Sequence, residues 1–490
     1  MDKLASILLA FPSEPSLINT VDNGAYDNAV KGHITKLSKL LQERVADLIA
    51  HGPNLLAILD PSVNSLSYLA ILHSLILPDI PASVPRHLVL ESLVLFLSTF
   101  DGRQSRYAGK HLLDVFNAAG NGQLLPPSVA VSALSNAILK LDPTGSMLTS
   151  SHILLAKLAY QTNNVPQALR VFDKDIVFYP NMANHSEPRY PCDLSLPPPS
   201  YISVGSGLTG PLKPPSVLEY DLLRGMAYCS ERDWTKAYTS LERIVAHPTR
   251  EGGVSKIMVE GYKKWILVSL LAKGKLPELP SYTAAQANKL YGSFGKSYMA
   301  VAAVFVGDDV GALKAEVEKS TTEWQVDGNT GLIQEVLAAY QKWQVMGLQQ
   351  VYTKLSLSEI RQQTMSAETG ARLPDDEDVE TLVQNMIISG MLKGVVERND
   401  DGTSFLTFLP AATQLSEQQF AEELTSTAIQ LKQLHPIFKT TKERLGTSKE
   451  YIKHVIKEEK RVEKDGNDPT LAFDAHVDDE DLMGGVVATG

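Results

Sequence analysis

Any chemistry in this chain of 490 residues would come from eleven histidines, two cysteines or one glycine run. The histidines are His33, His51, His73, His87, His111, His152, His185, His247, His435, His454 and His476. No two stand as H-x-H or H-E-x-x-H, the spacings that put two imidazoles on one zinc ion. A lone histidine on an amphipathic helix, such as His73 or His111, reads as a packing or surface residue. Cys192 and Cys229 form no C-x-x-C pair, and so few thiols fit a reducing compartment. Gly205-Ser206-Gly207-Leu208-Thr209-Gly210 spells the G-x-G-x-x-G of dinucleotide sites. Such a site needs a helix that starts at the glycines and aims its N-terminus at the pyrophosphate. Pro211, Pro214 and Pro215 oppose that helix, so no cofactor site is expected. The reading is of a chain that is not an enzyme, with no catalytic, cofactor-binding or metal-ligating residues.

The formal net charge of −11 opposes a nucleic-acid backbone or an anionic membrane as the main partner. No stretch approaches about 18 uninterrupted apolar residues, the length a membrane span requires. Residues 1–17 include Asp2, Lys3 and Glu14 and lack the basic start and apolar core of a signal peptide. Proteins are therefore the expected partners, and cytoplasm and nucleus the expected location.

The elements that would position an interface are helical. A hydrophobic fraction of 44% with 21% charged residues is that of a folded chain. A single core rarely exceeds about 250–300 residues, so several packing units or a stack of helices are expected. Between Asp27 and His51, Val30, Ile34, Leu37, Leu41, Val45 and Leu48 fall at steps of three and four. That is one helical stripe, which Gly52-Pro53 is expected to end. Similar runs up to Gln161 make residues 1–150 an N-terminal helical array. A pattern then recurs: Lys157-Leu158-Ala159-Tyr160 before Asn164 and Ala168-Leu169; Gly225-Met226-Ala227-Tyr228 before Asp233-Trp234 and Ala237-Tyr238; Ser297-Tyr298-Met299-Ala300 before Asp309 and Ala312-Leu313. Small residues at helix crossings with an aromatic one turn away suggest tetratricopeptide-like hairpins over residues 151–330. They are interrupted at 179–216 by a Pro-rich insertion, expected to be a surface loop without regular helix.

Residues 331–410 change character. Leu355-Ser356-Leu357-Ser358-Glu359-Ile360 starts a short helix with Ser356 or Ser358 as N-cap. A second helix begins at Asp375-Asp376-Glu377-Asp378 and carries Val379, Leu382, Val383, Met386 and Ile387. Val395-Val396-Glu397-Arg398, the turn Asn399–Gly402 and Phe405–Leu409 then read as a hairpin. Helix, turn, helix and hairpin make a winged helix. Between Ser356 and Pro410 there are four basic and ten acidic residues, and the start of the second helix is the most acidic part. Phosphates would repel it. The wing's sheet edge could instead take a strand from another subunit.

The phrases L-S-L-S-E-I and D-V-E-T-L-V-Q-N-M-I-I-S-G-M-L-K-G-V-V (residues 355–360 and 378–396) resemble the PCI domain family, in which a helical-repeat stem runs into a winged helix. With the chain's length, its N-terminal array and its acidic end, the resemblance is to PCI subunits of the COP9 signalosome. That implies a non-catalytic scaffold in the assembly that removes a ubiquitin-like modifier from cullins. Its partners would be other PCI subunits and metalloprotease-type subunits of that complex. PCI subunits of the proteasome lid and nucleic-acid-binding PCI proteins of mRNA export are the alternatives.

After the wing, Phe420, Leu424, Leu431 and Leu434 form an a/d-like seam that His435-Pro436 is expected to kink or split. A further helix, Ser448–Val462, carries Tyr451, Ile452 and Val455, so residues 411–462 read as C-terminal helices. Residues 463–490 hold eight acids against Lys464 and read as a disordered tail. The candidate interface residues are Leu357, Ile360, Val395, Val396, Phe405 and Phe408 of the winged helix, then Phe420, Leu424, Leu431, Leu434, Tyr451, Ile452 and Val455.

Overall fold

Burial of amphipathic stripes builds the first half of the protein. The computed structural model describes residues 2–12, 22–77, 79–180, 188–248, 253–307, 309–399, 403–409, 417–446, 449 and 451–457. The chain divides into two units: Met1–Leu392 with Val396–Thr407, and Lys393–Val395 with Phe408–Gly490. The acidic tail, the turn residues 400–402 and most of the linker before Glu417 lie outside the described residues.

Helices α1 (Asp2–Leu8), α2 (Asn23–Ile58), α3 (Ser65–Ile76), α4 (Arg86–Thr99), α5 (Gly102–Ser105), α6 (Gly109–Gly120) and α7 (Pro127–Leu141) form the N-terminal array. Leu72, Leu75, Leu93, Phe96, Val115, Val131 and Leu134 are fully buried between them. Helix α2 does not stop at Gly52-Pro53. Its break is at Arg44, with φ −137° and ψ 31°, and it continues to Ile58 with Pro53 inside. Proline removes one hydrogen bond, but the next turn buries Leu55 and Leu56, and Gly52 packs directly on Leu75.

Helical hairpins follow: α8 (Ser150–Gln161) with α9 (Val165–Phe172), then, after the short α10 (Pro198–Tyr201), α11 (Pro214–Ser230) with α12 (Trp234–Val245). Next come α13 (Lys256–Lys273), α14 (Ala285–Phe294), α15 (Lys296–Phe305), α16 (Val310–Lys319), α17 (Thr321–Val326) and α18 (Thr330–Leu348). The first two repeated units, and the later helix α17, close with the same helix ending. Asn163, Arg232 and Gly328 take left-handed φ of 55°, 57° and 65°. The next residue's N–H reaches back five residues: Asn164 to Ala159 O at 2.8 Å, Asp233 to Tyr228 O at 3.0 Å, Asn329 to Trp324 O at 2.8 Å. This is the Schellman closure, which satisfies a terminal carbonyl and reverses the chain. Ala159, Ala168, Ala227 and Ala237 are buried at the crossings, where small side chains let helices approach.

The Pro-rich insertion differs from its expectation. It is packed into the array: Cys192, Tyr201, Ile202 and Leu208 are buried. The Arg106 guanidinium donates to Pro191 O at 2.9 Å and Asp193 O at 2.8 Å and lies 3.5 Å over the Tyr201 ring. Arg103 donates to Cys192 O at 2.8 Å. Pro214 and Pro215 open helix α11, because a missing N–H costs nothing in a helix's first turn. The glycine run has a backbone explanation. Gly207, at φ +74°, lies so close to α6 that a Cβ would fall 2.7 Å from the Lys110 nitrogen. Gly109 likewise has no room for a side chain against Ser206 and Gly207.

After α18 come β1 (Lys354–Ser356), α19 (Leu357–Gln363), α20 (Asp376–Ile388), β2 (Gly394–Arg398) and β3 (Ser404–Phe408). The sheet order is β1-β3-β2, with β1 antiparallel to β3 and Leu355 opposite Leu406. This is the winged helix. Helix α21 (Glu417–Gly446) follows, and residues 451–457 are helical.

Candidate subunit interface

Local bonds set the two helices of the winged helix. The Ser356 hydroxyl accepts from the Glu359 N–H, and the Glu359 carboxylate accepts from the Ser356 N–H at 2.9 Å. This capping box makes Ser356, not Ser358, the N-cap. Those bonds hold the Glu359 carboxyl below its ordinary range. Asp375 caps α20 by accepting from the Asp378 N–H at 2.9 Å. Arg361 ties the helices together, donating to Pro374 O at 3.0 Å and pairing with Asp376 at 3.2 Å. Leu355, Leu357, Ile360, Val379, Val383, Met386, Leu392 and Leu406 form a separate small core.

The sequence-derived candidates therefore divide. Leu357 and Ile360 are core residues, 1% and 0% exposed, and Phe408 is also buried. Phe405 and Val396 are half-buried, and Val395 is exposed on β2, an edge strand of the sheet. Lys354 and Thr407 both bond to the Glu397 carboxylate, at 2.8 Å and 3.3 Å, and the Lys354 ammonium holds that carboxyl below its usual range. At the start of α20, Asp376, Glu377 and Asp378 occupy the first turn. Of the basic residues, Arg361 pairs with Asp376, and Arg398 stands 3.9 Å from Glu380. That surface repels a phosphate backbone.

Helix α21 exposes a row of large apolar side chains. Phe420, Leu424, Leu431 and Leu434 are 57%, 61%, 63% and 54% exposed. The helix also runs through residues 435 and 436 to Gly446, so the seam does not end at Leu434. Phe438 and Leu445, which the sequence reading left out, continue it and are likewise exposed. Leu424, Leu431, Phe438 and Leu445 are spaced by sevens, the a-position period of a coiled-coil strand. Tyr451 and Ile452 are exposed and Val455 is half-buried.

His73 stands 3.2 Å from Asp114 and 4.4 Å, ring to ring, from His111. Among the described residues no group of His, Cys, Asp or Glu could hold a metal ion, and no helix is long and apolar enough to cross a membrane. Cys229 is buried, and burial pushes its thiol up to about 12, away from a reactive thiolate.

A helical-repeat stem leading into an acidic winged helix and an apolar C-terminal helix defines a scaffold of the PCI class. Residues 28–286 match the family described as COP9 signalosome complex subunit 3, N-terminal helical repeats. The chain is 40% identical over 462 residues to the COP9 signalosome complex subunit 3 of Neurospora crassa, covering 93% of this chain and 92% of that protein. It is 29% identical over 504 residues to the protein of the same name from Emericella nidulans, covering 99% of each. The chain belongs to the COP9 signalosome complex subunit 3 family.

Proposed function

We propose that this protein is a non-catalytic scaffold subunit of the COP9 signalosome, the assembly that removes a ubiquitin-like modifier from cullins and so regulates cullin-RING ubiquitin ligases. Family membership supports the assembly. The observation that carries the scaffold role is the exposed heptad seam on α21, a surface suited to partner helices. The wing supplies a second contact through the β2 edge, where Val395 is exposed, with Val396 and Phe405 beside it. Leu357, Ile360 and Phe408 are buried and enter this reading as core residues. Tyr451, Ile452 and Val455 extend the helical contact. The partners on this reading are other PCI subunits and the metalloprotease-type subunits, in cytoplasm and nucleus. The functional segments are the helical array 1–150, the repeats 151–330, the winged-helix region 331–410, the C-terminal helices 411–462 and the tail 463–490.

Affinity purification of the tagged chain with mass spectrometry tests the reading. Co-purifying cullin-modifier protease subunits support it, and proteasome ATPases in their place overturn it. The scaffold role also requires that the chain, freed of partners, cleaves no modifier from cullin.

A further inference from the structure

A groove of about 720 Å³ opens beside helices α11 and α12, away from the winged helix. Its walls include Tyr179, Val217 and three prolines, Pro180, Pro214 and Pro248, and Tyr282 stands exposed at it. Prolines have no N–H to offer, so these three residues give an occupant's carbonyls no backbone donor. The side chain that does not fit an apolar wall is Asp221. It lines the groove at 7% exposure and makes no hydrogen bond or ion pair among the described residues. Burial pushes its carboxyl up to about 6, against the pull of Arg243 and Arg224. Arg243 also lines the groove, yet its guanidinium stands 3.7 Å from the exposed Asp175 and forms no ion pair with Asp221.

The Asp221 oxygens open on the groove and are not sealed from solvent, so an occupant that displaces the water there must supply a donor in its place. A cationic side chain is a poor complement, because Arg243, Arg224 and Lys213 already outnumber the one carboxylate. An anion meets Asp221 itself. A peptide unit suits both groups, offering an N–H to the carboxylate and a carbonyl to the guanidinium. The volume lies in the range of pockets that hold small ligands and short segments.

We propose that this groove binds an extended apolar segment of a partner protein, with one backbone N–H donating to the Asp221 carboxylate and a neighbouring carbonyl accepting from Arg243. The proposal is independent of the assembly named above, since the groove reads peptide backbone and not subunit identity.

The test is saturation-transfer NMR on the full chain. The probe is a pool of blocked tripeptides, Ac-X-X-X-NHMe with X drawn from Leu, Val, Ile and Phe. The control pool carries an ester in place of the central amide, which removes the donor and keeps the shape. The amide pool should bind, and the ester pool should bind about tenfold or more weakly, the worth of a hydrogen bond to a charged group. Asp221→Leu, which keeps the shape and has no acceptor, should erase that difference while keeping a cooperative thermal transition, and Arg243→Gln should weaken both pools. Equal binding of amide and ester by the wild-type chain overturns the proposal whether or not the variants fold. So does the absence of transfer from either pool at millimolar concentration. An amide preference that survives Asp221→Leu overturns it as well.

Discussion

Replacing Leu424 and Leu431 together with Asp separates a partner-facing seam from one that serves only its own unit. Seven residues along an α-helix fall about 20° short of two full turns, so the two side chains share one side. Both are more than 60% exposed, at 61% and 63%, so the isolated chain has little burial to lose. Surface changes of this kind stay within about 0.5 kcal/mol, and the thermal transition should hold its position. In an assembly, roughly three-fifths of each leucine remains to be buried, worth roughly 2–4 kcal/mol for the pair. Two carboxylates driven into an apolar seam add a penalty of several kcal/mol. Together these weaken a helix contact by about a thousandfold or more, enough to take a nanomolar complex into the micromolar range. Gel filtration with the other subunits reads the outcome as lost co-migration, and calorimetry of the isolated variant reads the fold. Wild-type assembly by the double variant would refute a partner-facing seam. Unfolding of the isolated variant would show that the seam packs on its own unit.

Phe438→Asp alone should reproduce part of that assembly defect, because the seam continues past residue 436, while deletion of residues 466–490 should leave assembly and the thermal transition unchanged. The Asp221 carboxyl is pushed up to about 6, so between its ordinary value and 6 the folded state holds a proton that the unfolded state has lost. Stability then falls as pH rises through that window, by up to about 3 kcal/mol, and Asp221→Asn should melt no lower than wild type at pH 7.5 and lose its advantage near pH 4. His152 has the opposite sign: burial lowers its pKa to about 3, and its Nδ1 accepts from the Thr149 N–H at 3.2 Å. Stability should fall as pH drops below about 6.5, where the unfolded state takes up the proton first, and His152→Gln should flatten that loss relative to wild type. Gly109→Ala should cost about 2 kcal/mol or more because its Cβ meets the backbone at Ser206 and Gly207, whereas Gly347→Ala, in a helix with open space, should gain about 0.5–1 kcal/mol by chemical denaturation.

What could be read from the sequence was local. The capping box at Ser356, the acidic start at Asp375 and the apolar period through Val379, Val383 and Met386 each act within a few residues, and they locate the winged helix. The hairpins of α8–α9 and α11–α12 were legible for the same reason. Two features escaped because their causes are distant. The insertion's prolines suggested a surface loop, but its position is set by Arg103 and Arg106, more than eighty residues earlier. The residue pair 435–436 suggested a kink or a split, and Phe438 and Leu445 lie beyond it on the same helix. Asp221 had no signal at all: one of two acids in its helix, beside Glu219, it says nothing until the neighbouring walls are in place.

The embrace of the insertion by α5 and α6 bears on how the chain is made. In a simple solenoid each repeat touches only its neighbours, so folding can begin as soon as the first hairpin leaves the ribosome. Here Arg103, Arg106 and Gly109 await residues between Pro191 and Gly207. At about 5–20 residues per second, that delay is roughly 5–20 seconds of synthesis. During it the Arg106 guanidinium and the face of α6 that meets the insertion lack that cover, whereas Arg103 already has Asn23 and the Tyr26 ring. The nascent N-terminal array therefore keeps an unmatched face until Gly207 has been made, and any slow step on the way, such as Pro197-Pro198-Pro199, lengthens that exposure.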